Sequence, residues 1–121
     1  MRNFQFVLSE TSLEDGIKAV LSQGFTAIHM IHQSLGIPAA KIIQDAGYRI
    51  PEDVSLVTFE LPRISCYLTP AQTTIDFDYQ ELARRALDEL HLRMHGKGSG
   101  GGAILVPNLL HIRDSTGPCR A

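Results

Sequence analysis

Cysteine is nearly missing from this chain. Cys66 and Cys119 are its only two, and their spacing matches no metal-binding or redox motif, so neither a disulfide scaffold nor a cysteine-based metal fold is expected. Long apolar runs are missing too: none approaches the roughly 20 residues that cross a bilayer. The opening Met1-Arg2-Asn3-Phe4-Gln5-Phe6 lacks the apolar core of a signal peptide. These absences predict a cytoplasmic protein with no membrane partner. Excess positive charge is the third absence. Eleven basic side chains stand against thirteen acidic ones, a formal net charge of −2, whereas a nucleic-acid surface normally needs a basic face. Arg84-Arg85 is the only adjacent pair of cations, and it lies in a helical pattern beside acidic neighbours.

What is present suits one globular domain: 121 residues, 44% apolar and 20% charged, too short for two well-cored units. Phe4 to Leu8 is a short β-prone run. Thr11-Ser12-Leu13-Glu14 follows as a capping-box pattern, and Leu13, Ile17, Val20 and Leu21 then recur at helical spacing until Gly24. Residues 26–31, apolar and β-branched, read as a buried strand. A second helix is expected over about 35–46, with Ile42, Ile43 and Ala46 on one face, Pro38 near its start and Gly47 as its cap. Residues 54–59 form the next strand, apolar on both faces. This β-α-β-α-β order with short connections predicts an α/β fold, a parallel sheet flanked by helices.

Beyond it the rhythm changes. Residues 61–72 carry two prolines and no clear period, and 73–77 are β-prone. Asp78 with Glu81 caps a longer helix, whose buried stripe is expected to be Leu82, Ala86, Leu87, Leu90 and Met94. Such a stripe has to dock on the protein's own sheet or on another chain. Residues 96–102 form a glycine-rich connector, and two short strands, 103–106 and 109–113, close the chain.

Nothing in these residues reads as catalytic or metal-binding. His29 and His32, three apart on a strand, face opposite sides and do not converge. His91 and His95 share a helix face but lack the intervening base of a His-Glu-x-x-His site, so they read as an exposed polar pair. Gly96-Lys97-Gly98-Ser99 leaves a helix rather than opening one, which excludes a phosphate loop. Topology is more informative. Ligands of open parallel sheets bind outside the carboxyl ends of the strands, and here those ends carry His32-Gln33-Ser34 and Glu60-Leu61.

Gly47-Tyr48-Arg49-Ile50-Pro51-Glu52-Asp53-Val54-Ser55-Leu56-Val57-Thr58-Phe59-Glu60 resembles the "G-x-x-V-P-x-D-V-S-V-V-G-F-D-D" segment of the lactose-repressor/galactose-repressor (LacI/GalR) family. Tyr67-Leu68-Thr69-Pro70 and Thr73-Thr74-Ile75 follow at the spacing of its "Y-L-T-P-P-L-T-T-V". Leu105-Val106-Pro107 and Ile112-Arg113-Asp114-Ser115-Thr116 resemble its closing "L-L-P … V-x-R-x-S-T", and Thr26-Ala27-Ile28 stands where it writes "T-A-I-F-A-x-N-D". The likeness runs from about Ser9 to the end of the chain, interrupted at the glycine-rich loop.

The resemblance implies a type I periplasmic-binding-protein-like fold, with residues 1–121 the C-terminal part of an effector-binding and dimerisation domain. It implies a small-molecule effector, sugar-like or nucleoside-like, and a homodimer. DNA would be touched only through a helix-turn-helix head outside this chain. No cofactor is expected. By correspondence, the ligand-binding positions are His32 and Gln33 (the family's Asn-Asp), Glu60 (its first Asp), Phe77 and Tyr79 at the crossover, and Thr11 before the first helix. Ile37 and Tyr67 fall on the dimer interface. Leu61 replaces the second family Asp, and Thr58 a glycine. Two alternatives remain open: a dimerising module of this fold that binds no effector, and a sugar-binding transport protein.

Overall fold

The structure, a computed structural model, describes residues 12–98 and 100–119. Phe4 to Leu8 and Thr11 therefore lie outside the described residues. Helix α1 spans Leu13–Ser22. Ser12 caps it, its Oγ accepting the Asp15 amide at 3.1 Å and donating to Asp15 Oδ2 at 2.6 Å. The capping pair is thus Ser12 with Asp15, one residue beyond the expected box, and Glu14 instead pairs with Lys18 along the exposed face. Helix α2 spans Gly36–Asp45, preceded by a 3-10 turn at Gln33–Leu35. It stops at Gly47, whose φ of +87° is open to glycine at no steric cost.

Three strands of the sheet run parallel, as the βαβ pattern requires. β1 (Ala27–His29) pairs with β2 (Ser55–Phe59), with Ile28 opposite Leu56, and β2 pairs with β3 (Thr73–Asp76), with Thr58 opposite Thr74. β4 (Leu109–His111) completes a mixed sheet in the order β1-β2-β3-β4. The core lies between the sheet and the paired helices α1 and α2: Ile17, Leu21, Ala39, Ile43, Val54 and Leu56, closed by Ile50. Ile43 and Leu56 are wholly buried, each contributing about 2 kcal/mol of transfer free energy.

Several expectations need correcting. β1 is shorter than residues 26–31, and it alternates: Ile28 packs against the core while Ala27 and His29 face outward and are exposed. β2 alternates instead of burying both faces: Leu56 and Thr58 point inward while Ser55, Val57 and Phe59 are half-buried. Residues 103–106 form no strand, since glycines precede them and Pro107 removes an amide.

By contact the chain divides into two compact units, one formed by residues up to Ile75 and from His111 on, the other by Asp76–Leu110. The second unit holds α3 (Tyr79–Met94), capped by Asp78 as expected, with Oδ1 accepting the Glu81 amide at 2.9 Å. Its apolar stripe, however, is not buried. Leu87, Leu90 and Met94 are 65%, 55% and 75% exposed, and the apolar side chains that follow α3 in its own unit, Ile104, Leu105, Leu109 and Leu110, are themselves exposed.

Gly36 opens α2 directly over β2. A Cβ there would stand 3.0 Å from both Gln72 Oε1 and Thr58 Cγ2, two buried side chains that hold each other by a hydrogen bond. Gly36→Ala would gain about 1 kcal/mol of helix propensity, and the overpacking outweighs it. We expect a net loss of about 1–2 kcal/mol in urea unfolding; an unchanged or raised midpoint would mean that the two side chains give way.

Candidate functional site

The carboxyl ends of β1 and β2 come together through one hydrogen bond. Gln33 Nε2, in the turn after β1, donates to the backbone carbonyl of Glu60, just past β2. His32 stands beside it and caps the 3-10 turn: its Nδ1 accepts the Ser34 amide at 3.3 Å and lies 2.8 Å from Ser34 Oγ. An amide only donates, so Nδ1 carries the lone pair and the exposed imidazole presents an Nε2–H donor.

Glu60 is only 7% exposed. A carboxylate taken out of water needs compensation, and two residues donate hydrogen bonds to it. Thr74 Oγ1 donates to Glu60 Oε2. Arg113 Nη1 reaches the same oxygen at 2.9 Å, Thr74 Oγ1 at 3.0 Å and the Gln72 carbonyl at 2.7 Å. Burial pushes the Glu60 carboxyl up, but hydrogen bonds from Arg113 and Thr74, with the charges of Arg113 and His111, hold it below its ordinary value. Glu60 is thus an ionised side chain turned into the protein, its Oε2 already occupied.

A second polar layer lies behind this one. Thr58 Oγ1 donates to Gln72 Oε1 at 3.1 Å, and Gln72 Nε2 donates to the Gly36 carbonyl at 3.0 Å, fastening the start of α2 to the sheet. Ser115 stitches the closing segment to β2 and β3: its Oγ donates to the Leu56 carbonyl at 2.6 Å and accepts the Thr73 amide at 2.8 Å. Among the described residues, no buried side-chain nitrogen or oxygen is left without a partner, and no group of three or more His, Cys, Asp and Glu is placed to hold a metal ion.

The positions proposed from sequence therefore divide. Gln33 and Glu60 meet, with His32 at the same mouth. Phe77 and Tyr79 belong to the second unit, where their rings meet edge-on at 5.8 Å and stay 40% and 58% exposed. Ile37 and Tyr67 are surface residues, 42% and 82% exposed. Sequence pattern alone does not mark Arg113, Thr74 and Gln72 as site residues. The available signal was a lone cation, Arg113, in an otherwise β-like closing run, and a lone carboxylate, Glu60, after an apolar strand. An open groove of about 480 Å³ lined by Gln44, Tyr48, Arg49 and Pro70 lies elsewhere, at the amino ends of β2 and β3. Two of its polar side chains are engaged within the protein: Arg49 on Asp53, Gln44 on the Thr69 carbonyl.

A family model for the periplasmic binding protein-like domain matches residues 5–116. The chain belongs to that family. Its relatives within it are LacI/GalR-type transcription regulators. It is 32% identical over 109 residues to the HTH-type transcriptional regulator GalR of Salmonella typhimurium, covering 88% of this chain and 30% of that protein. It is 26% identical over 102 residues to the ribose operon repressor of Haemophilus influenzae, covering 83% and 31%. Among solved structures, a LacI family transcriptional regulator from Bifidobacterium animalis subsp. lactis superposes with a TM-score of 0.76 at 22% identity, over 87% of this chain and 39% of the other. The chain thus spans about a third of the length of the curated relatives it matches. Those relatives are regulators and not enzymes. No helix among the described residues is long and apolar enough to cross a membrane.

Within this periplasmic binding protein-like domain, removing one partner of a buried pair strands the other. Arg113→Met is expected to cost about 3 kcal/mol at neutral pH. The folded Glu60 carboxyl titrates below its unfolded value, so its stabilisation is complete above the unfolded value and lost as pH falls through the folded one. With Arg113 gone, burial dominates and the shift reverses. The variant's deficit should then narrow on acidification, which urea unfolding at neutral and acid pH measures; a deficit constant with pH would contradict the assignment.

Proposed function

We propose that this chain is the effector-sensing segment of a LacI/GalR-type transcription regulator. In this reading it is the C-terminal part of the effector-binding and dimerisation domain, with DNA contacted by a helix-turn-helix head outside it. The observation that carries the reading is the Gln33–Glu60 bond, which joins the carboxyl ends of two adjacent parallel strands where open α/β sheets take their ligands. The effector class is sugar-like or nucleoside-like. His32 would donate Nε2–H to a ligand oxygen, and Gln33 would hold the mouth in shape. Glu60 would shape the mouth through its backbone and through the charge balance it keeps with Arg113. Phe77, Tyr79 and Thr11 are proposed as the further ligand contacts. Effector binding favours one arrangement of the cleft and so biases the dimer's operator affinity.

Isothermal titration with a panel of monosaccharides and nucleosides tests this. We expect saturable heat from at least one member and about tenfold weaker binding in His32→Ala, the loss of roughly one hydrogen bond. Silence from both this chain and the full-length gene product would sink the reading.

The engagement of Glu60 Oε2 favours one second reading, a dimerising module of this fold that senses nothing. Both readings place Ile37 and Tyr67 between two copies. In sedimentation, Ile37→Ser with Tyr67→Ser should move the wild-type dimer toward monomer, and a wild type that is monomeric at every concentration would remove the shared interface.

A further inference from the structure

The end of α3 carries a feature outside the sensing reading. His91 and His95 lie one turn apart, both exposed, with ring centroids 4.4 Å apart and planes inclined at 48°. His95 Nδ1 lies 2.8 Å from the His91 carbonyl oxygen. A carbonyl only accepts, so Nδ1 carries the proton and the lone pair sits on Nε2, the nitrogen left to face outward. A ring nitrogen that donates to a backbone carbonyl is a recurring support for metal-ligating histidines, since it fixes the tautomer and makes the other nitrogen more basic. Two imidazoles bound cis to one ion at about 2.1 Å place their centroids about 4.5 Å apart. The observed separation of 4.4 Å matches that spacing.

The electrostatic setting agrees. The carboxyl end of a helix carries partial negative charge and favours cations. Three guanidinium groups of α3 are each tied to a carboxylate, Arg84 to Asp88 at 2.8 Å, Arg85 to Glu81 at 2.7 Å and Arg93 to Glu89 at 2.7 Å. Sequence spacing alone reads this pair as two solvated side chains, and it is the ring separation and the fixed tautomer that change the reading.

We propose that His91 and His95 form a two-imidazole chelate at the end of α3 for a borderline transition-metal ion of the zinc, nickel or copper type, with water completing the coordination. Binding clamps the last turn of α3.

The test is titration of the full chain with Ni(II) and, separately, Zn(II) at neutral pH, followed by calorimetry and by the imidazole proton resonances. We expect one equivalent to perturb His91 and His95 together. The second imidazole binds intramolecularly, at high effective concentration, so His91→Ala and His95→Ala should each weaken binding by about 100-fold. Both side chains are exposed, and circular dichroism of each variant confirms its fold. Absence of binding, a response centred on His29, His32 or His111, or wild-type affinity in either variant overturns the proposal.

Discussion

The buried pair of Glu60 and Arg113 is the constraint around which the sheet's carboxyl end is arranged. A carboxylate that is 7% exposed cannot stay ionised without partners, and they come from two distant stretches: Thr74 on β3 and Arg113 in the closing segment. To reach Glu60, Arg113 must be held against β3, which the Thr73 hydroxyl does by accepting its amide at 2.9 Å and donating to its carbonyl at 3.1 Å. One buried charge therefore fixes the register between the end of β2, the middle of β3 and the closing segment. Such a pair adds less stability than its contacts suggest, because desolvation opposes it. Its larger contribution is to make alternative placements of the closing segment costly.

The same pair decides what the mouth of the sheet presents. With Glu60 Oε2 turned inward, the mouth shows the Nε2–H of His32 and the apolar Leu61 in place of a pair of carboxylates. Gln33 spends its amide nitrogen on the Glu60 carbonyl and so ties the turn after β1 to the end of β2.

Much of the fold is legible without coordinates, and for identifiable reasons. The periodicity of Ile17, Leu21 and Ile43, the stop at Gly47 and the apolar β2 run each record a local rule of burial or backbone freedom. So does Asp78, three residues before the amide it caps. Errors arise where a local pattern depends on a partner elsewhere. Leu87, Leu90 and Met94 have the spacing of a buried stripe, but burial needs a second apolar face packed against it, and the other apolar side chains of the unit containing α3, Ile104, Leu105, Leu109 and Leu110, are exposed as well. Residues 103–106 have strand composition, but a strand exists only when an edge pairs with it.

The sequence by itself determined the class of fold, the order of its elements and the two strand ends at which His32 and Glu60 stand, because these follow from short-range spacing and from motifs a few residues long. Only the tertiary structure decided what those side chains do. Whether Glu60 faces a ligand or an arginine depends on a residue 53 positions away. Whether His91 and His95 are two solvated rings or one chelate depends on a ring separation that spacing in the chain does not fix. Hydrogen bonding and desolvation act at the scale of ångströms in space, where distance along the chain carries no information.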